Sequence, residues 1–244
     1  MRVLRAIAFA ILAFLSCAIA FTTATILLLL DPRRGRTGHF VARLWGRAML
    51  FASGARLVVR DADRFAPREA RVLVANHASF LDIPAVFAAF PGQARFVART
   101  TLIWMPFVGW YIRLGGHFSL DRGDPRQALA LMERMADRMR RYGLSPVLFP
   151  EGTRSPDGRL APVKPGSLLL PVSIGVPVQP VAIIGSAAIF PKGAGGPVRS
   201  GTIEIRVGEP LSTAGLEGST GRKALADRVR AALLALGVPD GAPP

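Results

Sequence analysis

His77 and Asp82 lie five residues apart in the run "VANHASFLD" at positions 74–82. An imidazole oriented by a carboxylate is a general base, because the carboxylate fixes the ring tautomer and stabilises the imidazolium formed when the other nitrogen takes a proton. On one continuous helix a spacing of five turns the two residues about 140° apart, and they do not meet. Across a strand-to-helix turn they can. Asn76 then closes the strand, His77 projects from the turn, and Asp82 opens the next helix with Pro84 in its first turn. The same letters also fit a capping pattern over 79–82 with an inert turn histidine, and this stretch alone leaves both readings open.

The run "FPEGTRS" at 149–155 supplies the complementary chemistry. Glu151, Gly152, Thr153 and Arg154 bring a carboxylate, a position for close backbone approach, a hydroxyl and a bidentate phosphate donor into four consecutive residues. A plain surface turn is the competing reading. Both runs follow strand-like segments, and ligands of open α/β sheets bind beyond the carboxyl ends of the strands.

The elements that must position these residues alternate in type. Strand patterns fall at 71–76, 95–99, 117–122, 146–149, 180–184 and 202–207. Helical patterns fall near 83–90, at 125–142 with Leu131, Met132, Met135 and Met139 inward, and at 222–236. This order predicts an α/β fold, a mixed sheet flanked by helices. It divides the chain into a membrane anchor and interfacial helix at 1–55, an α/β domain at 56–236 and a disordered tail at 237–244.

The anchor is expected from residues 6–30, which carry no charge and no proline and at 1.5 Å per residue suffice to cross a core of about 30 Å. The run exceeds the apolar core of a cleaved signal peptide. Arg33, Arg34, Arg36, Arg43 and Arg47 follow it, against Arg2 and Arg5 before it, so the main domain is expected on the cytoplasmic side. Insertion as a hairpin in one leaflet remains an alternative to spanning. Cys17 within the run reads as a packing residue. Phe40, Val41, Leu44, Trp45, Ala48 and Met49 recur at helical spacing and predict an amphipathic helix at the membrane interface, a helix packed on the domain core being the alternative. The apolar segment 100–116, broken by Pro106 and Gly109, reads either as a second membrane-dipping surface or acyl groove wall, or as core.

The net charge of +15 needs an anionic partner. Aromatic stacking platforms, a zinc-ligand framework and a reading helix are all missing from the pattern, so an anionic lipid bilayer is expected and nucleic acid is not. His39 and His117 stand alone without ligand spacing and read as structural, with no metal site.

Taken in order, NHASFLD and then FPEGTRS 74 residues later resemble the first and third blocks of the glycerophospholipid acyltransferase family, NHxxxxD and FPEGTR. The bacterial 1-acyl-sn-glycerol-3-phosphate acyltransferases are the branch most resembled. Pro106, Gly109, Gly115 and Arg122 stand where the second block has proline, glycine, glycine and arginine; "VPVQPV" at 176–181 resembles the fourth, and "VKPG" at 163–166 a basic segment after the third. Phe80 replaces a frequent tryptophan, Arg99 a common lysine, and Gln179 interrupts the fourth block. The resemblance implies acyl transfer from acyl-CoA or acyl carrier protein to the free hydroxyl of lysophosphatidic acid, giving phosphatidic acid at the bacterial cytoplasmic membrane with the site facing the cytoplasm. It assigns His77 and Asp82 to catalysis, Glu151, Gly152, Thr153 and Arg154 to the glycerol phosphate, and Arg122 and Lys164 as further phosphate partners, with no cofactor. Acylation of another lysolipid such as lyso-ornithine lipid or of glycerol 3-phosphate, and a non-enzymatic basic lipid-binding protein, are the alternative readings.

Overall fold

The computed structural model describes residues 2–30, 36–67, 69–120, 125–192 and 198–241. Two helices, α1 (Arg2–Leu30) and α2 (Arg36–Ser53), lead into β1 (Ala55–Arg60), β2 (Val72–Ala75), α3 (Asp82–Ala89) and β3 (Gln93–Arg99). After a 3₁₀ segment at Thr100–Trp104 come α4 (Val108–Leu114), β4 (Phe118–Leu120), α5 (Pro125–Tyr142) and β5 (Leu144–Leu148). The chain ends with α6 (Leu169–Ile174), β6 (Val178–Ile184), α7 (Ser186–Ile189), β7 (Gly201–Val207) and α8 (Gly218–Ala235).

The strands form one seven-stranded sheet in the order β1-β7-β6-β2-β5-β3-β4, with β6 and β7 antiparallel and the other neighbours parallel. This is the mixed α/β sheet expected from the pattern. β2, "VLVA", is buried at every position, as an unbroken aliphatic run must be when helices cover both faces of its sheet. β7 instead alternates, with Ile203, Ile205 and Val207 inward and Glu204 and Arg206 outward, because only one of its faces meets a core. One core, holding Trp45, Met49, Phe87 and Phe96, lies between the sheet and α1–α3. The other, holding Met135, Met139, Val229 and Leu233, lies under α5 and α8.

β1 was not foreseen. Its "ARLVVR" lacks strict alternation, since as an edge strand beside β7 it buries none of its residues completely. The predicted strand 117–122 is observed as β4, while Asp121 and Arg122 fall outside the described residues.

α2 departs from the interfacial expectation on one face. Gly38, Ala42 and Gly46 recur every four residues and are buried: a Cβ on Gly38 would stand 3.2 Å from the Leu28 side chain of α1, and one on Gly46 2.6 Å from the Pro84 carbonyl oxygen of α3. Trp45 and Met49, expected on the face of a helix at the membrane interface, are therefore buried in the core, while Phe40, Leu44 and Phe51 are exposed on the outward side. The helix carries apolar residues on both sides, and the small-residue stripe decides which side meets protein. α1 packs alongside through Phe9, Phe21 and Ala24, with the Phe21 ring 4.8 Å from Tyr111 and 5.0 Å from Trp45.

The tail expected to be disordered is ordered through residue 241. Val238 is buried, Leu160 donates its N–H to the Pro239 carbonyl, and Arg230 pairs with Asp240. One buried aliphatic anchor and an ion pair outweigh the loop-like composition of this segment; residues 242–244 lie outside the description.

Candidate active site

β2 and β5 run parallel with Val74 opposite Leu148, an offset that carries past the strand ends and sets the histidine turn beside the 149–155 loop. Asn76 closes β2 by pairing its amide with β6: Nδ2 donates to the Ile183 carbonyl at 2.8 Å and Oδ1 accepts from the Ile183 N–H at 2.7 Å. The chain then turns, and α3 opens on Asp82 with Pro84 in its first turn.

His77 Nδ1 lies 2.7 Å from Asp82 Oδ2. The same oxygen accepts the backbone N–H of Ala78 at 2.7 Å and of Ser79 at 2.8 Å. One carboxylate thus both caps the turn and reaches the imidazole. The two main-chain donors hold Asp82 in place, and Asp82, an acceptor only, fixes the proton on Nδ1. Nε2 is left with its lone pair free for an incoming hydroxyl. Asp82 is 1% exposed and the histidine side chain 15% exposed, so the pair works in a medium that screens it poorly while one ring edge stays reachable.

The imidazole is held by more than its acid. The ring face stacks on Phe149 at 4.0 Å and 16°, the main-chain N–H of His77 donates to Glu151 Oε1 at 2.6 Å, and the His77 carbonyl accepts from Ser155 N–H at 2.8 Å. Ser79 Oγ donates to the Phe190 carbonyl at 2.6 Å, tying the turn to the end of α7. Phe190 meets Phe80 and, at 5.4 Å, Phe9 of α1, so an aromatic wall separates the turn from the N-terminal helix.

The other residues singled out in the sequence occupy different settings. Gly152 has φ +78, a conformation that favours glycine, and lets the loop turn back after Glu151. Thr153 is exposed and Arg154 half-buried, and Arg154 forms no ion pair among the described residues. Lys164 is exposed; its N–H donates to the Pro150 carbonyl at 3.1 Å, which ties its segment to the same loop. Glu151 is 2% exposed, and its second oxygen accepts from Ala161 N–H at 2.9 Å. Burial pushes its carboxyl up to about 7 against the pull of the two backbone donors, and the nearby Asp82 charge adds to the rise. Arg122 lies outside the described residues, as does the side chain of Arg99, whose backbone ends β3.

Two neighbours escaped the sequence reading. Phe149 passed as the strand's last apolar residue, although the parallel register of β2 and β5 was the signal that could have placed it beside the histidine turn. Lys192 donates to Thr153 Oγ1 at 3.3 Å and to the Arg154 carbonyl at 2.7 Å, adding a cation to the loop from after α7. His39 is buried and His117 partly so, both with lowered pKa, chiefly through desolvation and also through the nearby Arg95; their rings pack against Phe87 and Tyr111.

The family model described as Acyltransferase matches residues 56–184, which include every described element of this site except Phe190 and Lys192. The chain belongs to the acyltransferase family. Among its acyltransferase relatives, the 1-acyl-sn-glycerol-3-phosphate acyltransferase beta of Homo sapiens is 33% identical over 211 residues, covering 83% of this chain and 74% of the relative. The chloroplastic 1-acyl-sn-glycerol-3-phosphate acyltransferase BAT2 of Brassica napus is 31% identical over 214 residues, 85% of this chain and 61% of the relative. The chain thus spans about three fifths of the length of such plant acyltransferases. The crystal structure of the 1-acyl-sn-glycerophosphate acyltransferase PlsC from Thermotoga maritima superposes with a TM-score of 0.77 at 26% identity, covering 96% of this chain and 95% of that one.

Proposed function

We propose that this chain is a membrane-bound enzyme that transfers an acyl group from a thioester, acyl-CoA or acyl carrier protein, to the free hydroxyl of lysophosphatidic acid, yielding phosphatidic acid. The observation that carries this reading is the His77–Asp82 pair, clamped by main-chain donors next to an arginine-bearing loop. The activity in the names of its family relatives supports it.

His77 Nε2 accepts the proton of the acceptor hydroxyl as that oxygen attacks the thioester carbonyl, and Asp82 stabilises the imidazolium. The tetrahedral intermediate collapses with cleavage of the C–S bond, and the proton on Nε2 passes to the departing thiolate. The sum is thioester plus alcohol to ester plus thiol. No covalent enzyme intermediate and no cofactor are required. Arg154, with Thr153 and Gly152, receives the acceptor phosphate, Lys164 and Lys192 add positive charge there, and the family resemblance gives Arg122 a like role.

The lipid reading rests on the outer surface. Ile11–Leu30 is long and apolar enough for a membrane, with mean hydropathy 2.3 and only 11% of the segment buried. Phe51 on α2, Trp104 at the end of the 3₁₀ segment and Met105 just after it leave further large apolar side chains exposed, and Arg113 lies over Trp104 at 5.1 Å. Aromatic and arginine side chains together suit the headgroup level of an anionic bilayer. Because α1 packs along α2 and α4, with Phe21 against Trp45 and Tyr111, insertion of this face into one leaflet fits better than a helix that leaves the domain to span. Arg36, Arg43 and Arg47 favour the cytoplasmic leaflet of a bacterial inner membrane. The acceptor then enters without lifting its acyl chain into water, at about 0.8 kcal/mol per exposed methylene.

The test is a panel of lysolipid acceptors and a labelled thioester presented to the protein in vesicles. Label in phosphatidic acid supports the reading. Label only in a phosphate-free product moves the acceptor assignment to another branch.

A further inference from the structure

Glu151 belongs by position to the loop facing the acceptor, yet its side chain points into the protein. It is 2% exposed, and each oxygen accepts a main-chain hydrogen bond: Oε1 from His77 N–H at 2.6 Å and Oε2 from Ala161 N–H at 2.9 Å. These donors lie on two segments far apart in sequence, the histidine turn and the stretch leading to Lys164. A buried carboxylate is also the wrong charge for an anionic headgroup, and burial has already raised its pKa to about 7.

We infer that Glu151 is a positioning residue, which clamps the main chain of His77 to the segment carrying Lys164 and so sets the base relative to the phosphate loop, rather than a ligand of the acceptor. This deepens the acyltransferase reading and rests on it. Asp82 orients the ring of His77, whereas Glu151 holds its backbone; on the other side Ser155 N–H, donating to the His77 carbonyl at 2.8 Å, shares that task. A base displaced by about 1 Å loses on the order of 10²-fold in rate while the phosphate contacts stay where they were.

The experiment uses the full chain in vesicles and compares Glu151→Gln and Glu151→Asp with the parent protein. The Gln carboxamide offers one acceptor oxygen and turns an NH₂ toward the other donor, and the shorter Asp carboxylate reaches only one donor. The expected result for Glu151→Gln is a kcat lower by about 10²-fold with lysophosphatidic acid and with monoacylglycerol alike, and an unchanged KM for lysophosphatidic acid, with Glu151→Asp intermediate. Amide exchange at His77 and Ala161 should quicken in both variants. A raised KM at preserved kcat, or a loss confined to the phosphate-bearing acceptor, overturns the clamp and makes Glu151 a ligand. If the parent protein transfers no acyl group, the functional reading fails separately, and the exchange data still judge the clamp: unchanged exchange refutes it. Should Glu151→Gln fail to fold, the same readouts are taken from Glu151→Asp.

Discussion

Replacing Asp82 by asparagine removes one charge and almost no volume, and the surrounding bonds dictate how the amide must sit. Oδ2 accepts from His77 Nδ1, Ala78 N–H and Ser79 N–H, so the amide oxygen takes that place and its NH₂ occupies the position of Oδ1, which has no partner among the described residues. The Nδ1 tautomer survives; what is lost is the negative charge beside the developing imidazolium. For unit charges about 4 Å apart at an effective dielectric near 20, that charge is worth about 4 kcal/mol. With a Brønsted coefficient of about 0.5, roughly 2 kcal/mol reaches the barrier, a fall in kcat of about thirtyfold. Asp82→Ala should behave differently: it strands two backbone donors and frees the ring, costing about 2–4 kcal/mol of stability and, in activity, as much as removal of His77. Initial rates of thioester-dependent acylation, with the melting temperature of each variant, provide the assay. An Asp82→Asn protein that folds and keeps full kcat refutes the electrostatic role, and one that loses as much as Asp82→Ala refutes the argument that backbone donors fix the amide.

Arg154→Ala should chiefly raise KM for lysophosphatidic acid, by about tenfold or more for a lost charge-assisted phosphate contact, and leave a phosphate-free acceptor unaffected in competition kinetics. Asn76→Ala should lower stability by about 2–4 kcal/mol, read in denaturant titrations, because Ile183 then keeps a buried N–H and C=O without their partners. Glu151 titrates near 7 in the folded chain against 4.5 ordinarily, so between those values the unfolded chain releases a proton that the folded chain keeps. Its contribution to stability is therefore present at low pH and falls as pH rises through the window, by about 3 kcal/mol in all, and Glu151→Gln should flatten this part of a stability–pH curve.

The site was legible because its chemistry is written in short range. His77 to Asp82 and Glu151 to Arg154 are each set by one strand end and one turn, and the parallel pairing of β2 with β5 joins them. Strands whose burial is complete or strictly alternating, β2 and β7, announced themselves; β1, a half-buried edge, did not. For α2 the core-packed alternative holds on the inward face; its apolar residues lie on both sides, and the deciding feature is the absence of a side chain at Gly46, facing α3, and at Gly38, facing Leu28 of α1. Glu151 shows the other limit. Its residue type suggested a ligand, while its direction depends on where the N–H groups of His77 and Ala161 point, and no local pattern encodes that.

The most direct test of the whole account is acyl transfer by the vesicle-reconstituted protein carrying His77→Ala. The account predicts labelled phosphatidic acid from the parent protein and a rate lower by about 10²- to 10⁴-fold from the folded variant, with the KM for lysophosphatidic acid little changed. A folded His77→Ala protein that forms product at the parent rate contradicts it.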